Sequence, residues 1–337
     1  MLDKGRLNPR ETGRFVSEHS DGEVKISKSG VEAVARLVLG AVRSGKMRDV
    51  DFDAHELHPK GADRAAVEWV FFMDTINFSF WSEEDAKFVV TYKGKPYTGY
   101  YAGCACVDRA LDSGIPLTTA DYMQNITLED VKKIFVSDDG AVIPMAEERT
   151  NVLREAGKVL NEEFGGSFYH CVENCRKSAM NLLKTVVENF ESYRDFGEFK
   201  GKKERYAGLT VTEHHVKIPH MNGGDAFREL TMFADYRVPQ ALAHLGALHY
   251  SSKLIRSLRA NPVLPNGCPL EVELRGFSIK ACDDIVDAAK RLRTDADTHL
   301  KTITAVDVDM FLWVYRREHA AEIEKNIAYH RVRSIYY

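Results

Sequence analysis

Apolar residues in this chain recur mainly at the spacing of an α-helix, and this periodicity limits the possible folds more than any other feature. Val31, Val34, Val38 and Val42 fall on one helical face, and the pattern stops near Gly45. A helix with such an apolar stripe is stabilised mainly by packing the stripe against other elements. The chain is therefore expected to fold as a mainly α protein.

Further helix signals follow along the chain. Thr127 and Asp130 have the spacing of a capping box in front of an apolar run, and another apolar stripe lies between 147 and 164. Gly165 and Gly166 close that stripe, because glycine favours the end of a helix. Additional helices are expected at about 171–190, 240–258, 281–294 and 305–324.

Strand signals are few. Apolar residues on both sides of the turn residues 93–96 predict a β-hairpin over 88–101, and short strands are predicted near 210–217 and 271–277. No strand is followed by a glycine-rich turn and a helix, so the sequence supports neither a dinucleotide-binding fold nor a P-loop. We expect a single helical domain over residues 1–337 with a small β-hairpin or minor sheet.

The composition excludes several classes of protein. The chain has 46 lysine and arginine residues against 50 acidic residues, a formal net charge of −4, and so lacks the basic field that grips nucleic acid. No apolar run approaches the roughly 18 residues of a membrane-spanning helix, and the start is too polar for a secretory signal. The six cysteines include no CxxC pair, which favours reduced thiols over disulfides or a zinc site. We expect a cytoplasmic monomer without a nucleic-acid or membrane partner.

Asp235 is the first candidate for a catalytic role. It precedes Pro239, which suits the first turn of a helix, and lies between the aromatic residues Phe233 and Tyr236. The helix dipole and the nearby Arg237 favour its ionised form, so it could supply a fixed anion that stabilises a developing cation. The alternative is a structural role, either as the N-terminal cap or as an ion partner of Arg237.

Asp309 is the second candidate. Thr304 and Asp307 predict a capping box, and on the helix that follows Asp309 shares a face with Val306 and Trp313. A carboxylate among apolar residues needs a partner, and one carboxylate can accept two parallel N–H donors from the edge of a base such as guanine. The alternative is a partly solvated acid that the helix dipole favours.

An aromatic run at 69–81 offers a different kind of site. Phe78 and Trp81 could stack on a flat heterocycle, and Asn77 could both donate and accept hydrogen bonds. The alternative for every aromatic residue of this run is a place in the apolar core, which is where phenylalanine and tryptophan usually lie.

The histidines do not form a metal-binding motif. His55 and His58 lie three residues apart, but Pro59 stops any helix there, and neither this pair nor the histidines at 213–220 match HExxH. We therefore expect no metal and no other cofactor. We interpret His55 as a hydrogen-bonding contact for a ligand.

A short basic run at 200–205 could bind one phosphate, which needs only two or three donors. Within it, Lys203 and Arg205 are candidate phosphate contacts, together with Arg237. The alternative is a solvated surface, which is the usual place for such a run.

Five motifs are distributed in order over nearly the whole chain. They are Asn-Pro-Arg at 8–10, Asp-Thr-Ile-Asn-Phe-Ser-Phe-Trp at 74–81, Phe-Gly-Gly-Ser-Phe at 164–168, Phe-Ala-Asp-Tyr-Arg-Val-Pro-Gln at 233–240 and Arg-Ser-Ile-Tyr-Tyr at 333–337. With these motifs the chain resembles the eukaryotic-type queuosine salvage proteins. The resemblance implies hydrolysis of the N-glycosidic bond of queuosine 5′-monophosphate, releasing queuine, a 7-deazaguanine base that is used again in transfer RNA modification. It also implies a single, mostly helical domain with a distant likeness to DNA glycosylases.

The same resemblance implies roles for particular residues. Asp235 matches the proposed nucleophile or transition-state stabiliser of the family. The other matched positions lie around the base, and they are Phe233, Ala234, Tyr236, Asp309 and His55. Some relatives carry a second acid five residues beyond the position of Asp309, where this chain has Val314, so that acid has no counterpart here.

Two other functions stay open at this point. A non-catalytic carrier of queuine or its nucleotide would use the same aromatic residues but would need no anion beneath the sugar. A helical adaptor would bind no base at all. Release of free queuine from the nucleotide separates the enzyme from both.

Overall fold

Helices account for most of the regular structure, so the prediction of a mainly α fold is confirmed. A computed structural model describes residues 8–48, 54–61, 63–82, 88–200, 202–205, 230–260 and 262–337. Its α-helices are α1 (Pro9–His19), α2 (Lys28–Arg43), α3 (Arg64–Thr75), α4 (Tyr100–Asp112), α5 (Ala120–Asn125), α6 (Leu128–Ile134), α7 (Ala146–Glu163), α8 (Phe168–Asn174), α9 (Ala179–Asn189), α10 (Val238–His244), α11 (Ser252–Arg259), α12 (Pro269–Leu292), α13 (Ala305–Glu318) and α14 (Ala320–Asn326).

The strands are short and pair two by two. They are β1 (Val24–Ile26), β2 (Val89–Tyr92), β3 (Lys95–Thr98), β4 (Phe196–Phe199), β5 (Lys202–Arg205), β6 (Leu248–Tyr250), β7 (Val263–Leu264) and β8 (Arg331–Val332). The pairs β1–β6, β2–β3 and β4–β5 are antiparallel, and β7–β8 is parallel.

The described residues form two compact units. The first contains residues 8–48, 195–200, 202–205, 230–260 and 262–333, and the second contains 54–61, 63–82, 88–194 and 334–337. Each unit combines segments that are distant in the sequence, and the prediction of one domain over 1–337 stays a prediction. Among the described residues, no helix combines the length and the apolar character that crossing a bilayer requires.

Helix α12 is the centre of the first unit. It is 24 residues long, starts with Pro269 in its first turn, and contacts α1, α2, α10 and α13. Its apolar side chains join the core that those helices form. Three charged residues of its first half, Glu271, Glu273 and Arg275, are buried as well.

Helix α2 packs closely against the turn at Gly246 through Gly30. A Cβ atom on Gly30 would lie 1.8 Å from the carbonyl oxygen of Gly246, whereas no described atom lies within 4 Å of such a Cβ on Gly40 of the same helix. We therefore expect Gly30→Ala to lower the free energy of unfolding by about 1–3 kcal/mol, because the backbone must shift. Gly40→Ala is expected to raise it by about 0.5–1 kcal/mol through helix propensity. Urea denaturation of both variants checks the pair, and similar midpoints would contradict the close packing at Gly30.

Helices α3, α4 and α7 organise the second unit. Helix α3 contacts α4, α7 and α8, while α5 and α6 pack on α7, and the β2–β3 hairpin lies against α4. Arg149 of α7 is fully buried and donates hydrogen bonds to the carbonyl oxygens of Ile76 and Phe78. The buried phenylalanines of this unit are Phe71, Phe72, Phe78, Phe88, Phe135, Phe168 and Phe190.

Elements with a strong local signal are predicted correctly. Helix α2 covers the valine stripe, and α6 begins at the capping box that Thr127 and Asp130 form. Helix α7 ends just before Gly165. The hairpin is also confirmed, and its turn residues Lys93 and Gly94 both have positive φ. All six cysteines are free thiols, as predicted.

Other elements differ from the sequence predictions. The strand predicted at 271–277 is wrong, because this segment is helical and lies inside α12. The single helix predicted at 240–258 is also wrong, since the turn at Gly246, where φ is +76°, separates α10 from β6 and α11. The segments 171–190 and 305–324 each form parts of two helices rather than one. The strand predicted at 210–217 lies outside the described residues.

Candidate active site

Asp235 lies in an irregular segment that leads into α10. Met232 and Ala234 are buried in the core of the first unit, which fixes the backbone on both sides of Phe233. The Oδ1 atom of Asp235 accepts hydrogen bonds from the backbone N–H groups of Arg237 and Val238, at 2.8 and 2.7 Å. Asp235 therefore satisfies two backbone donors at the start of α10, but the N-cap residue is Arg237, so the interpretation of Asp235 as the N-terminal cap is wrong.

The second carboxylate oxygen of Asp235 is not used in this way. No described residue donates a hydrogen bond to Oδ2, and the residue is 8% exposed. The two bonds to Oδ1 thus hold the carboxylate in place through one oxygen. The Oδ2 atom is therefore available to contact a bound molecule.

The surroundings of Asp235 oppose its ionisation. Burial raises its pKa to about 7, and the charge of Asp309 acts in the same direction. The N–H donors of Val238 and Arg237 and the Arg237 guanidinium lower the pKa, but they only partly offset the burial. Asp235 therefore changes its charge near neutral pH.

Asp309 of α13 bonds to the irregular segment that contains Asp235. Its Oδ2 atom accepts a hydrogen bond of 2.8 Å from the backbone N–H of Phe233, and its side chain is buried. The charge of Asp309 raises the pKa of Asp235, so the two carboxylates interact. A buried pair of acids is thus built from one helix and one irregular segment.

Arg275 of α12 is a second residue that holds the segment containing Asp235. Its Nε donates to the carbonyl oxygen of Ala234 at 2.8 Å, and its Nη1 lies 3.2 Å from Glu271 Oε1. Its Nη2 donates to the carboxylate of Asp195, and all three charged groups are buried. The residue directly before Asp235 is therefore attached to a buried ion cluster.

Arg10 adds a further attachment at the start of the segment. Its Nη2 donates to the carbonyl oxygen of Leu230 at 2.8 Å, and its Nε lies 3.0 Å from a carboxylate oxygen of Asp283 in α12. Arg10 belongs to the Asn-Pro-Arg motif at the start of α1. This motif therefore supports the segment that carries Asp235.

Aromatic and cationic groups follow directly after Asp235. The rings of Tyr236 and Tyr329 lie 5.4 Å apart, and the Arg237 guanidinium lies 3.9 Å from the centre of the Tyr329 ring. Burial raises the pKa of Tyr236 to about 12, so its hydroxyl stays protonated. Arg237 pairs with Glu324 at 3.3 Å. The sequence-based alternative of an Asp235–Arg237 side-chain ion pair is therefore wrong.

These groups together suit chemistry in which positive charge develops. A carboxylate with one free oxygen is held in a largely buried place, beside the half-buried rings of Phe233 and Tyr236. A fixed anion in such surroundings stabilises a nearby cation much more than it would in water.

Comparison with known proteins identifies the family. The family model described as queuosine salvage protein matches residues 57–337, most of the chain. The chain belongs to the queuosine salvage protein family. A mouse protein named queuosine 5′-phosphate N-glycosylase/hydrolase is 44% identical over 337 residues, 98% of this chain and 99% of its own length. Proteins with the same name from Schizosaccharomyces pombe and Sphaerobacter thermophilus are both 35% identical, the first over 97% of this chain and 99% of its own, the second over 84% of each.

The first unit of this queuosine salvage protein contains most of the predicted site residues. Around Asp235 the structure brings together Phe233, Ala234, Tyr236, Arg237 and Asp309. Ala234 contributes only its backbone there, because its side chain is fully buried. Trp313 is half-buried on α13, and the Arg317 guanidinium lies 5.1 Å from the centre of its ring.

The other predicted contacts belong to the second unit. The His55 ring stacks on Tyr101, with centroids 3.7 Å apart. Phe78 and Trp81 are buried, as the core interpretation predicts, while Asn77 is half-buried. Their roles as substrate contacts stay predictions.

Several candidates fall outside what the structure describes. Strand β5 includes the backbone of Lys203 and Arg205, but their side chains lie outside the described part of the chain, as do the histidines at 213–220. Within the described ranges, no three His, Cys, Asp or Glu side chains are grouped so that they could hold a metal ion.

Sequence reasoning missed the residues that hold the segment in place. Glu271 and Arg275 have the four-residue spacing of a helical ion pair, and this spacing could have identified them. Their alternation with apolar residues, however, is typical of a strand. The partner Asp195 is 80 residues away, and no local pattern indicates it. Arg316 and Glu324, close to Arg237, were missed for the same reason.

Proposed function

We propose that this protein hydrolyses the N-glycosidic bond of queuosine 5′-monophosphate and releases queuine for salvage into transfer RNA modification. Relatives named for this activity share up to 44% identity with nearly the full chain. The observation that carries the proposal is the carboxylate of Asp235, which is fixed through Oδ1 while no described residue donates to Oδ2. A carrier of the base would have no need of this arrangement.

The reaction places positive charge on the ribose. When the bond between C1′ and the base nitrogen breaks, the base takes the electron pair and the ring gains oxocarbenium character. The ionised Asp235 stabilises that charge, as an electrostatic partner or as a nucleophile at C1′. Water then supplies hydroxide to C1′, and its proton balances the charge on the base. This reaction needs water and no cofactor.

The base must be assisted at edges other than the purine N7 position, because a 7-deazapurine lacks that nitrogen. We assign this task to Asp309, whose carboxylate is an acceptor for N–H groups and lies close to Asp235. Phe233, Tyr236 and Trp313 supply aromatic surface for the flat ring. The predictions of a cytoplasmic monomer without a nucleic-acid partner stay predictions.

The proposal is tested by incubating the purified protein with queuosine 5′-monophosphate and separating the products by chromatography. We expect free queuine and ribose 5-phosphate to appear in equal amounts over many turnovers. Recovery of unchanged nucleotide after binding to the protein would instead favour a carrier.

The pH dependence of kcat/KM follows from the ionisation of Asp235. Since the pKa of Asp235 is raised to about 7, the anion is lost as the pH falls below that value. We expect kcat/KM to be constant above about pH 8 and to fall about tenfold per pH unit well below pH 7. The charged or titratable groups that act on Asp235 are Asp309 and Arg237, and the Cys282 thiol lies near both acids.

The substrate phosphate ionises near pH 6 and must be separated from this effect. The profile is therefore measured again with Asp235→Asn, in which the phosphate still titrates and residue 235 does not. The fall near pH 7 should be absent from the residual activity of that variant. A variant profile identical in shape to that of the wild type would contradict the assignment.

A further inference from the structure

A groove of about 440 Å³ lies within the first unit. Its walls are Arg10 and Arg14 of α1, one face of α12 between 280 and 290, and the residues around 302–305, where α13 begins. The residues assigned to the proposed reaction do not line it. The groove is therefore separate from the candidate active site, and its volume is in the usual range for a site that binds a small molecule.

Positive charge exceeds negative charge along the groove. Five arginine and lysine side chains line it, against three aspartates. Each aspartate is paired with one of the lining cations, and the pairs are Asp283–Arg10, Asp284–Lys280 and Asp287–Lys290. The two lining cations outside these pairs are Arg14 and Arg293. The groove therefore carries two positive charges that its own carboxylates do not balance.

Neither of these two arginines has a charged partner among the described residues. Arg293 donates to the carbonyl oxygens of Lys301 and Leu300 at 2.7 and 2.8 Å, which fixes its guanidinium with neutral acceptors. Arg14 is exposed on α1, and no described residue accepts a hydrogen bond from it. Both guanidiniums can therefore still bond to an anion, which is the acceptor that suits them best.

Part of the lining is apolar. Val286 of α12, Ile303 and Ala305 contribute to the same groove. A bare inorganic ion would leave these side chains without a contact, whereas an organic anion would place its carbon skeleton against them. Charged walls around an apolar patch are typical of sites for small organic ligands.

We infer that this groove binds a small organic anion with two or more acidic groups, and that the bound anion lowers the activity of the candidate active site through Arg10. Two acidic groups match the two arginines that lack a carboxylate partner. The effect on activity rests on the proposed function, whereas binding of the anion does not.

Arg10 connects the groove to the segment that carries Asp235. It lines the groove, and its Nη2 donates to the carbonyl oxygen of Leu230, five residues before Asp235. A hydrogen bond to a charged oxygen is roughly twice as strong as one to a neutral carbonyl. An anion in the groove therefore competes with Leu230 for the guanidinium, and the segment is held less firmly while the anion is bound.

The first experiment measures binding of citrate, a small carboxylate with three acidic groups, by calorimetry at constant ionic strength. Arg14→Glu reverses one charge of the lining and should weaken binding about tenfold. Asp287→Asn removes one exposed negative charge and should strengthen binding about two- to fivefold. Arg36→Ala, at an exposed pair with Glu32 on α2, lies outside the groove and should bind citrate as the wild type does.

The second experiment measures queuine release from queuosine 5′-monophosphate with and without citrate. Bound citrate should lower kcat about fivefold or more and leave KM unchanged, because it does not occupy the site of the nucleotide. Without citrate, Arg14→Glu should have the wild-type kcat. At the citrate concentration that half-saturates the wild type, its kcat should stay close to that value.

Three results would overturn the inference. The first is no binding of citrate, and the second is binding that Arg14→Glu and Asp287→Asn leave unchanged, since citrate would then bind elsewhere. The third is bound citrate that leaves kcat unchanged or only raises KM. Failure of the wild type to release queuine would overturn the proposed function instead, and calorimetry would still decide whether the groove binds an anion.

Discussion

Asp235→Asn is expected to lower the rate of queuine release by about 10²–10³-fold, which is the usual effect of removing one preorganised electrostatic group. Asparagine keeps an oxygen that can accept the N–H groups of Arg237 and Val238, so these two bonds at the start of α10 are retained. What the substitution removes is the negative charge that the proposed mechanism places beneath the sugar.

The same substitution should not weaken the fold. Because burial raises the pKa of Asp235 to about 7, the folded protein binds this proton more tightly than the unfolded chain does. The stabilisation from that proton is complete at low pH and is lost as the pH rises through about 7. An uncharged asparagine avoids the cost of ionisation, so the Tm of Asp235→Asn at pH 8 should equal or exceed that of the wild type.

Single-turnover rates with excess enzyme, together with Tm values at pH 8, measure both effects. Asp295→Asn is a suitable control, because Asp295 is an exposed aspartate of the same unit with no place in the mechanism. It should leave the rate unchanged. A rate for Asp235→Asn within a few-fold of the wild type would keep the enzyme class but remove Asp235 from its role.

Local chemistry explains which parts of the fold could be predicted. Thr127 and Thr304 accept hydrogen bonds from the backbone three residues ahead of them, so both capping boxes depend on neighbouring residues alone. The hairpin turn at Lys93 and Gly94 is equally local. Such signals are readable in the sequence because no distant partner is needed.

The errors in α12 come from distant partners. Around Val272 and Leu274 charged and apolar residues alternate, as in a strand with one wet face. In the structure both kinds of residue are buried, since Arg275 and Glu271 neutralise each other and Arg275 reaches Asp195. The charged residues of this segment are therefore not exposed, and their alternation with apolar residues wrongly predicts a strand.

A structural role and a catalytic role of Asp235 are compatible. The structural role uses Oδ1, as its bonds to the N–H groups of Arg237 and Val238 show, and leaves Oδ2 for a substrate. The sequence could identify Asp235 as a candidate. Which carboxylate oxygen bonds to the backbone and which stays available depends on the three-dimensional structure. Its catalytic role stays a proposal, as does that of Asp309, whose bond to Phe233 joins residues 76 positions apart.

Arg275→Met is expected to produce the largest loss of stability, about 3–5 kcal/mol, because removing one member of a buried ion cluster leaves the others uncompensated. Asp195 and Glu271 would keep their negative charges in the interior, and the carbonyl oxygen of Ala234 would lose its donor. Arg275→Lys should lose less, since it keeps the charge but cannot reach three acceptors at once.

A second arginine–aspartate pair of the same unit serves as a control for the effects of Arg275 on stability and on activity. Arg43 bonds Asp297 through two nitrogens at 2.8 and 2.7 Å, but it is half exposed and distant in sequence from the Asp235 segment. Asp297 is buried, but it keeps its hydrogen bonds from Thr294 when Arg43 is replaced, so Arg43→Met should cost less stability than Arg275→Met and no activity. Comparing the two methionine variants tests whether burial of the arginine decides the cost of losing such a pair.

The position of Arg275 predicts an effect beyond stability. Its hydrogen bond holds the carbonyl of Ala234, so in Arg275→Lys the backbone before Asp235 is held less firmly. Measured well below the Tm, where the variant is folded, kcat should fall about tenfold or more, because small displacements of a catalytic group are costly. The inflection near pH 7 in kcat/KM should also move, since it reports the surroundings of Asp235. A variant that loses stability but keeps the wild-type kcat and pH profile would show that Arg275 supports the fold without positioning Asp235.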